Sequence, residues 1–84
     1  MEPPSSQHPE PDITLDLEGL KCPLPVLRTR KAMAELPPGA LLRVIATDPM
    51  SAVDLPHFCA EAGHHLESQE QAGDRLIFLI RRRA

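Results

Sequence analysis

Cys22 lies in the run Gly19-Leu20-Lys21-Cys22-Pro23-Leu24-Pro25. A cysteine reacts as its thiolate, and an ordinary thiol with a pKa of about 8.5 is mostly protonated at neutral pH. Several neighbours favour the charged form. Lys21 adjoins the thiol, and Arg28 and Lys31 follow within one or two turns of a helix that starts here. A helix start offers unpaired N–H groups and the positive end of the dipole. Pro23 and Pro25 stiffen this start, and Pro23 biases Cys22 itself away from helical angles. The sulfur is then held off the helix body, where another molecule reaches it. Leu24 adds an apolar contact beside it. The pattern predicts a nucleophile at Cys22, with Lys21, Pro23, Leu24, Pro25, Arg28 and Lys31 as partner-docking or thiolate-tuning residues. Arg30 joins the basic residues that can meet acidic groups on a partner, where interface charge sets specificity and association rate.

The second cysteine reads differently. Cys59 stands between Phe58 and Ala62 on an apolar stripe, and a free cysteine in such a place is a small buried hydrophobe. The two cysteines are not a C-x-x-C pair. Asp16 and Glu18 are close to the thiol in sequence, but acids are mostly surface residues, so Asp16 is read as a solvent-facing strand residue and Glu18 as a loop residue. His57, Cys59, His64 and His65 lack paired zinc-ligand spacings, and His57 and Cys59 at i, i+2 point to different sides of a helix. No metal and no cofactor are expected. Arg81-Arg82-Arg83 is a short basic end, read as a solvated terminus.

The elements that must position Cys22 follow from periodicity. Residues 1–12 hold four prolines, two serines, three acids and one apolar residue. Such a stretch cannot bury enough surface to offset its ordering entropy, so it is expected to be a disordered tail ahead of a domain over 13–84. Ile13-Thr14-Leu15-Asp16-Leu17 alternates as a half-buried strand does. A helix then carries the stripe Val26, Thr29, Met33 and Leu36 with Leu27 alongside, and Leu24, Arg28, Lys31 and Glu35 opposite. Pro37-Pro38-Gly39 ends it. A second strand spans 41–47. Asp48 is expected to cap the next helix with Pro49 in its first turn. In that helix Leu55, Phe58, Cys59 and Ala62 share a face, and Pro56 predicts a kink or two short pieces. A polar third strand covers 64–71, Ala72-Gly73-Asp74 is expected as a three-residue hairpin loop, and 75–81 is the clearest strand.

The order β-α-β-α-β-β predicts an α+β fold: a two-layer α/β sandwich with two helices on one face of a four-stranded mixed sheet. The second and fourth strands are apolar on both faces and are expected to be central, with the polar first and third strands as edges. Ile45, Ile77 and Leu79 would then be exposed on the helix-free face, as a tolerated apolar patch or a docking surface.

With 84 residues there is room for one domain and a shallow site. The net charge is −3, there is no Trp or Tyr, and Phe58 and Phe78 are the only aromatic residues. That balance argues against a basic or stacking nucleic-acid surface. No apolar run is long enough to span a membrane, and the secretory pattern of a basic start and apolar core is missing. The expected location is the cytoplasm, where thiols stay reduced.

Residues 15–25 (Leu15-Asp16-Leu17-Glu18-Gly19-Leu20-Lys21-Cys22-Pro23-Leu24-Pro25) resemble the signature of the TusA/SirA sulfur-carrier family. So do Thr47-Asp48-Pro49, Asp54-Leu55-Pro56 with Phe58-Cys59, and the strand ending in Ile80-Arg81. The resemblance implies a βαβαββ sandwich and a sulfurtransferase acting as a persulfide carrier without independent turnover. Cys22 would accept sulfur from a cysteine desulfurase or other sulfur donor and pass it to an acceptor protein. The receiving pathways implied are tRNA 2-thiolation, molybdenum-cofactor assembly and sulfur oxidation. Family members of the tRNA pathway tend to carry an acid where Leu24 stands. The other readings of the chain are a redox or regulatory module that docks through the open sheet face and, by fold analogy alone, an RNA-binding domain.

Overall fold

The computed structural model describes residues 10–84, so most of the expected tail over 1–12 lies outside the described residues. The elements are β1 (Ile13–Leu17), α1 (Leu24–Glu35), β2 (Leu41–Ala46), α2 (Ser51–Ala62), β3 (His65–Ala72) and β4 (Arg75–Arg81). The sheet order is β1-β2-β4-β3. β1 runs parallel to β2, and β4 is antiparallel to both β2 and β3. The α+β sandwich with a mixed sheet is therefore as expected, with the two apolar strands at its centre.

Register explains the core. Leu42 faces Ile80, Val44 faces Phe78 and Ala46 faces Leu76 across the central pair. Leu15 and Leu17 continue two of these rows into β1. Against this face pack Met33 of α1 and Leu55, Phe58 and Cys59 of α2. Asp12 already belongs to the sheet edge, because its N–H donates to the Leu41 carbonyl at 2.8 Å and its carboxylate accepts from Leu41 N–H at 2.8 Å.

α1 is built from good helix formers, Leu, Arg, Lys, Ala and Met, and stops at Leu36. That residue is extended (φ −93°, ψ 151°), as the clash with a following proline requires. Pro25, Thr29 and Met33 are buried along its inner face. Leu27 departs from the expectation: it is 50% exposed, because the inner face centres on Pro25-Thr29-Met33 and leaves Leu27 on the rim.

α2 is one helix across Pro56, not two pieces. The missing Pro56 N–H leaves the Ala52 carbonyl without its usual i+4 donor, and Gln69 Nε2 of the edge strand reaches that oxygen at 3.5 Å. Asp48 caps the turn ahead of α2 instead of the α-helix itself: its Oδ1 accepts from Met50 N–H at 3.1 Å, and Ser51 N–H donates to its carbonyl at 2.9 Å. Gly63, at φ +81°, closes the helix in a left-handed conformation.

Three further expectations are corrected. The β3–β4 hairpin pairs Ala72 with Arg75, so its loop is the two residues Gly73-Asp74. Gly73 takes φ +65°, which suits the first central position of a type II′ turn. The basic end is built into the fold. Arg82 Nε donates to the Met33 carbonyl at 2.9 Å, and Arg81 reaches the Gly39 carbonyl at 2.9 Å and Glu67 at 2.6 Å. On the helix-free face Ile45 and Ile77 are half-buried and Leu79 is only 6% exposed. Arg43 and Ser68 flank Leu79 in register, and long polar side chains can cover apolar neighbours with their stems.

Candidate functional site around Cys22

The carboxyl ends of parallel β1 and β2 lie side by side, and the loops that leave them meet. Open α/β sheets bind ligands at such strand ends. Gly19 turns the first loop at φ +85°, and its N–H donates to Thr47 Oγ1 at 2.9 Å. Three residues on, Cys22 N–H donates to Asp48 Oδ2 at 2.6 Å. The Cys22 loop is thus pinned by the two residues that follow β2. A turn closed by Leu24 N–H to the Lys21 carbonyl at 2.8 Å leads into α1, and the Cys22–Pro23 peptide inside it is cis.

Cys22 is exposed. It stands at one end of a shallow cleft between the helices, lined also by Val26 and Arg30 of α1 and by Asp54, His57 and Phe58 of α2. Arg30 lies over the Phe58 ring at 4.9 Å, within cation–π range. His57 and Glu61 approach to 3.3 Å.

The electrostatics at the sulfur differ from the expectation that its neighbours favour the charged form. Cys22 Sγ donates to Asp54 Oδ2 at 3.3 Å. That hydrogen bond, then desolvation and the charges of Asp54 and Asp48, raise the thiol above its ordinary value. The helix start contributes fewer free N–H groups than expected: Leu24 and Leu27 N–H are taken by the carbonyls of Lys21 and Pro23, and Pro25 has none. Asp48 is the reverse case. The N–H groups of Cys22 and Met50 hold its carboxyl below the usual range, with a smaller contribution from Lys21.

The residues singled out from sequence separate into two groups. Lys21, Pro23 and Leu24 are exposed around the thiol, whereas Pro25 is buried on the inner face of α1. Arg28 and Lys31 are exposed on α1 away from the residues that line the cleft, and Lys31 pairs with Glu35 at 3.6 Å. Arg30 is the basic residue that the cleft contains. Sequence reasoning missed Asp54, which is 32 positions from Cys22. Its segment carried part of the family resemblance, but nothing in the chain order linked it to the thiol. Cys59 is buried in the core, 2% exposed, and desolvation pushes its thiol up to about 11. Among the described residues no group of His, Cys, Asp or Glu is placed to hold a metal ion, and no helix is long and apolar enough to cross a membrane.

Comparison with known proteins places this chain in a family. The sequence profile described as "Sulfurtransferase TusA" matches residues 13–82. A protein of Pseudomonas fluorescens named "Sulfur carrier protein TusA" is 49% identical, over 86% of this chain and 92% of its own length. A protein of the same name from Pseudomonas entomophila is 44% identical, over 87% and 91%. The crystal structure of a SirA-like protein from Desulfitobacterium hafniense superposes with a TM-score of 0.75 at 30% identity, covering 86% of this chain and 99% of that one. The chain therefore belongs to the TusA sulfurtransferase family.

Proposed function

We propose that this protein carries sulfur as a persulfide on Cys22, taking it from a donor protein and handing it to an acceptor. The observation that carries the reading is the placement of Cys22: an exposed thiol lining a cleft, on a loop fixed by hydrogen bonds to Thr47 and Asp48. The relatives named as sulfur carriers support the same reading.

The chemistry is thiol exchange at sulfur. Cys22 loses its proton, and the thiolate attacks the outer sulfur of a donor persulfide. A new S–S bond forms to Cys22 as the donor's S–S bond breaks, and the donor sulfur leaves with the electron pair and takes up a proton. The Cys22 persulfide is then attacked at its outer sulfur by an acceptor thiolate, and Cys22 leaves in turn. No net oxidation occurs. The reaction needs reduced thiols, which fits the cytoplasm. The donor proposed is a cysteine desulfurase or a protein of similar chemistry. Leu24 in place of an acid makes the rim apolar at that point, so the acceptor pathway is left among tRNA thiolation, molybdenum-cofactor assembly and sulfur oxidation.

Incubation with a cysteine desulfurase and cysteine should add the mass of one sulfur to the protein. Cys22→Ser should abolish the gain and Cys59→Ala should keep it. An unchanged mass of the wild type beside a competent donor overturns the reading. The alternative of an adaptor docking through the helix-free sheet face has less support, since Leu79 at the middle of that face is covered.

A further inference from the structure

The charged groups nearest the Cys22 sulfur have the wrong sign for a nucleophile at rest. Asp54 Oδ2 accepts from Sγ at 3.3 Å, and Asp48 is fixed under the same residue by the Cys22 N–H at 2.6 Å. A carboxylate that accepts from S–H stabilises the neutral thiol over the thiolate. The cations on the surrounding elements do not offset this. Lys31 of α1 pairs with Glu35, Arg30 of α1 lies over Phe58, and His57 of α2 faces Glu61. Lys21 adjoins Cys22, but its charge acts on Asp48. A positive charge brought in from outside would weaken the hold of Asp54, and a negative one would strengthen it.

We infer that Asp54 is a positioning residue that selects the reaction partners of Cys22 by charge: it holds the thiol protonated at rest and favours sulfur centres that carry a positive group beside the reacting sulfur. The inference rests on the reading of Cys22 as the sulfur acceptor. It goes beyond that reading by stating the chemical class of group that the donor or acceptor presents next to its sulfur. An exposed cysteine is open to every electrophile in solution, and a protonated thiol reacts with few of them.

The test uses small disulfides, which need no sulfur carriage. Cys22 thiolate attacks one sulfur of the disulfide, a mixed disulfide forms, and the other half leaves as a thiolate that takes up a proton. Rates for the full chain are measured by mass spectrometry at pH 7 and low salt with cystamine (cationic), bis(hydroxyethyl) disulfide (neutral) and dithiodiglycolate (anionic). The wild-type ratio of cystamine to dithiodiglycolate rates should exceed that of Asp54→Asn by roughly three- to tenfold. Asp54→Glu should restore most of the ratio. With the neutral disulfide, Asp54→Asn should react roughly threefold faster or more at pH 7, with its pH–rate profile moved to lower pH. An equal ratio and an unmoved profile in Asp54→Asn overturn the inference. Should that variant not fold, the wild type alone decides: its charge preference should collapse when salt is raised to about 1 M, and a preference that is absent or insensitive to salt overturns the inference. A charge preference in a protein that gains no sulfur from a desulfurase would sink the carrier reading and leave the role of Asp54 standing.

Discussion

The N–H of Cys22 donates to Oδ2 of Asp48 at 2.6 Å, across 26 positions of sequence. The other oxygen of the same carboxylate caps the turn ahead of α2 through Met50 N–H. One side chain therefore sets both the loop that presents the thiol and the start of the helix that carries Asp54.

Asp48→Ala should free the Cys22 loop while leaving the sheet intact. Hydrogen exchange at the Cys22 amide should speed up by roughly tenfold or more, with Val44 unchanged, since local opening is governed by local bonds. The effect has a pH signature. Asp48 titrates below the usual range in the folded protein and at the ordinary value of about 3.9 when unfolded. Its contribution to stability is thus present above about pH 3.9 and is lost as pH falls through the lower folded value. The amide shift of Cys22, followed by NMR on acidification, should move only below the ordinary carboxylate midpoint. Movement centred at or above that midpoint counts against the assignment.

Cys59 should resist alkylation in the folded protein and react on unfolding. Its folded thiol titrates at about 11 because it is desolvated, against about 8.5 for a free thiol. The stability it contributes is present below the unfolded value and is lost as pH rises through about 11. Cys59→Ala should cost about 1–2 kcal/mol in urea denaturation, and Cys59→Ser more, because it buries a hydroxyl. A serine variant as stable as the wild type would contradict this burial.

Thr29 is fully buried at the middle of the inner face of α1, and its Oγ1 has no hydrogen-bond partner among the described residues. Thr29→Val keeps the shape and removes the unpaired hydroxyl. It should stabilise the fold by about 1 kcal/mol in urea denaturation. Destabilisation would show that the hydroxyl is satisfied in solution.

Pro56→Ala restores an N–H to α2 opposite the Ala52 carbonyl that Gln69 now reaches at 3.5 Å. The variant should be more stable by about 1–3 kcal/mol. Gln69→Ala should then cost less in the alanine background than in the wild type, as residues that share one acceptor are coupled. Equal costs in both backgrounds would mean that Gln69 does not serve that carbonyl.

Much of this protein is written in local pattern. Alternation at 13–17, the apolar rows of 41–47 and 75–81, and the proline stop after Leu36 specify the elements, because side-chain period and backbone stereochemistry act over a few residues. Two-faced apolarity put β2 and β4 at the centre for the same reason. The motif around Cys22 marked the thiol and the family. Local pattern went wrong where packing intervened: Leu27 lies on the rim, Gln69 stands by the helix in which Pro56 predicts a kink or two short pieces, and the terminal arginines are tied into the fold. The charge at the thiol was beyond its reach altogether. Lys21 is visible next to Cys22, but Asp54 and Asp48 arrive from 32 and 26 positions away, and Coulomb interactions depend on distance in space. The sequence alone singled out Cys22 as the candidate for the chemistry and determined the elements that frame it. Only the tertiary structure decided that carboxylates, not the neighbouring lysine, govern that thiol, because only folding brings the ends of β1 and β2 and the start of α2 to one place.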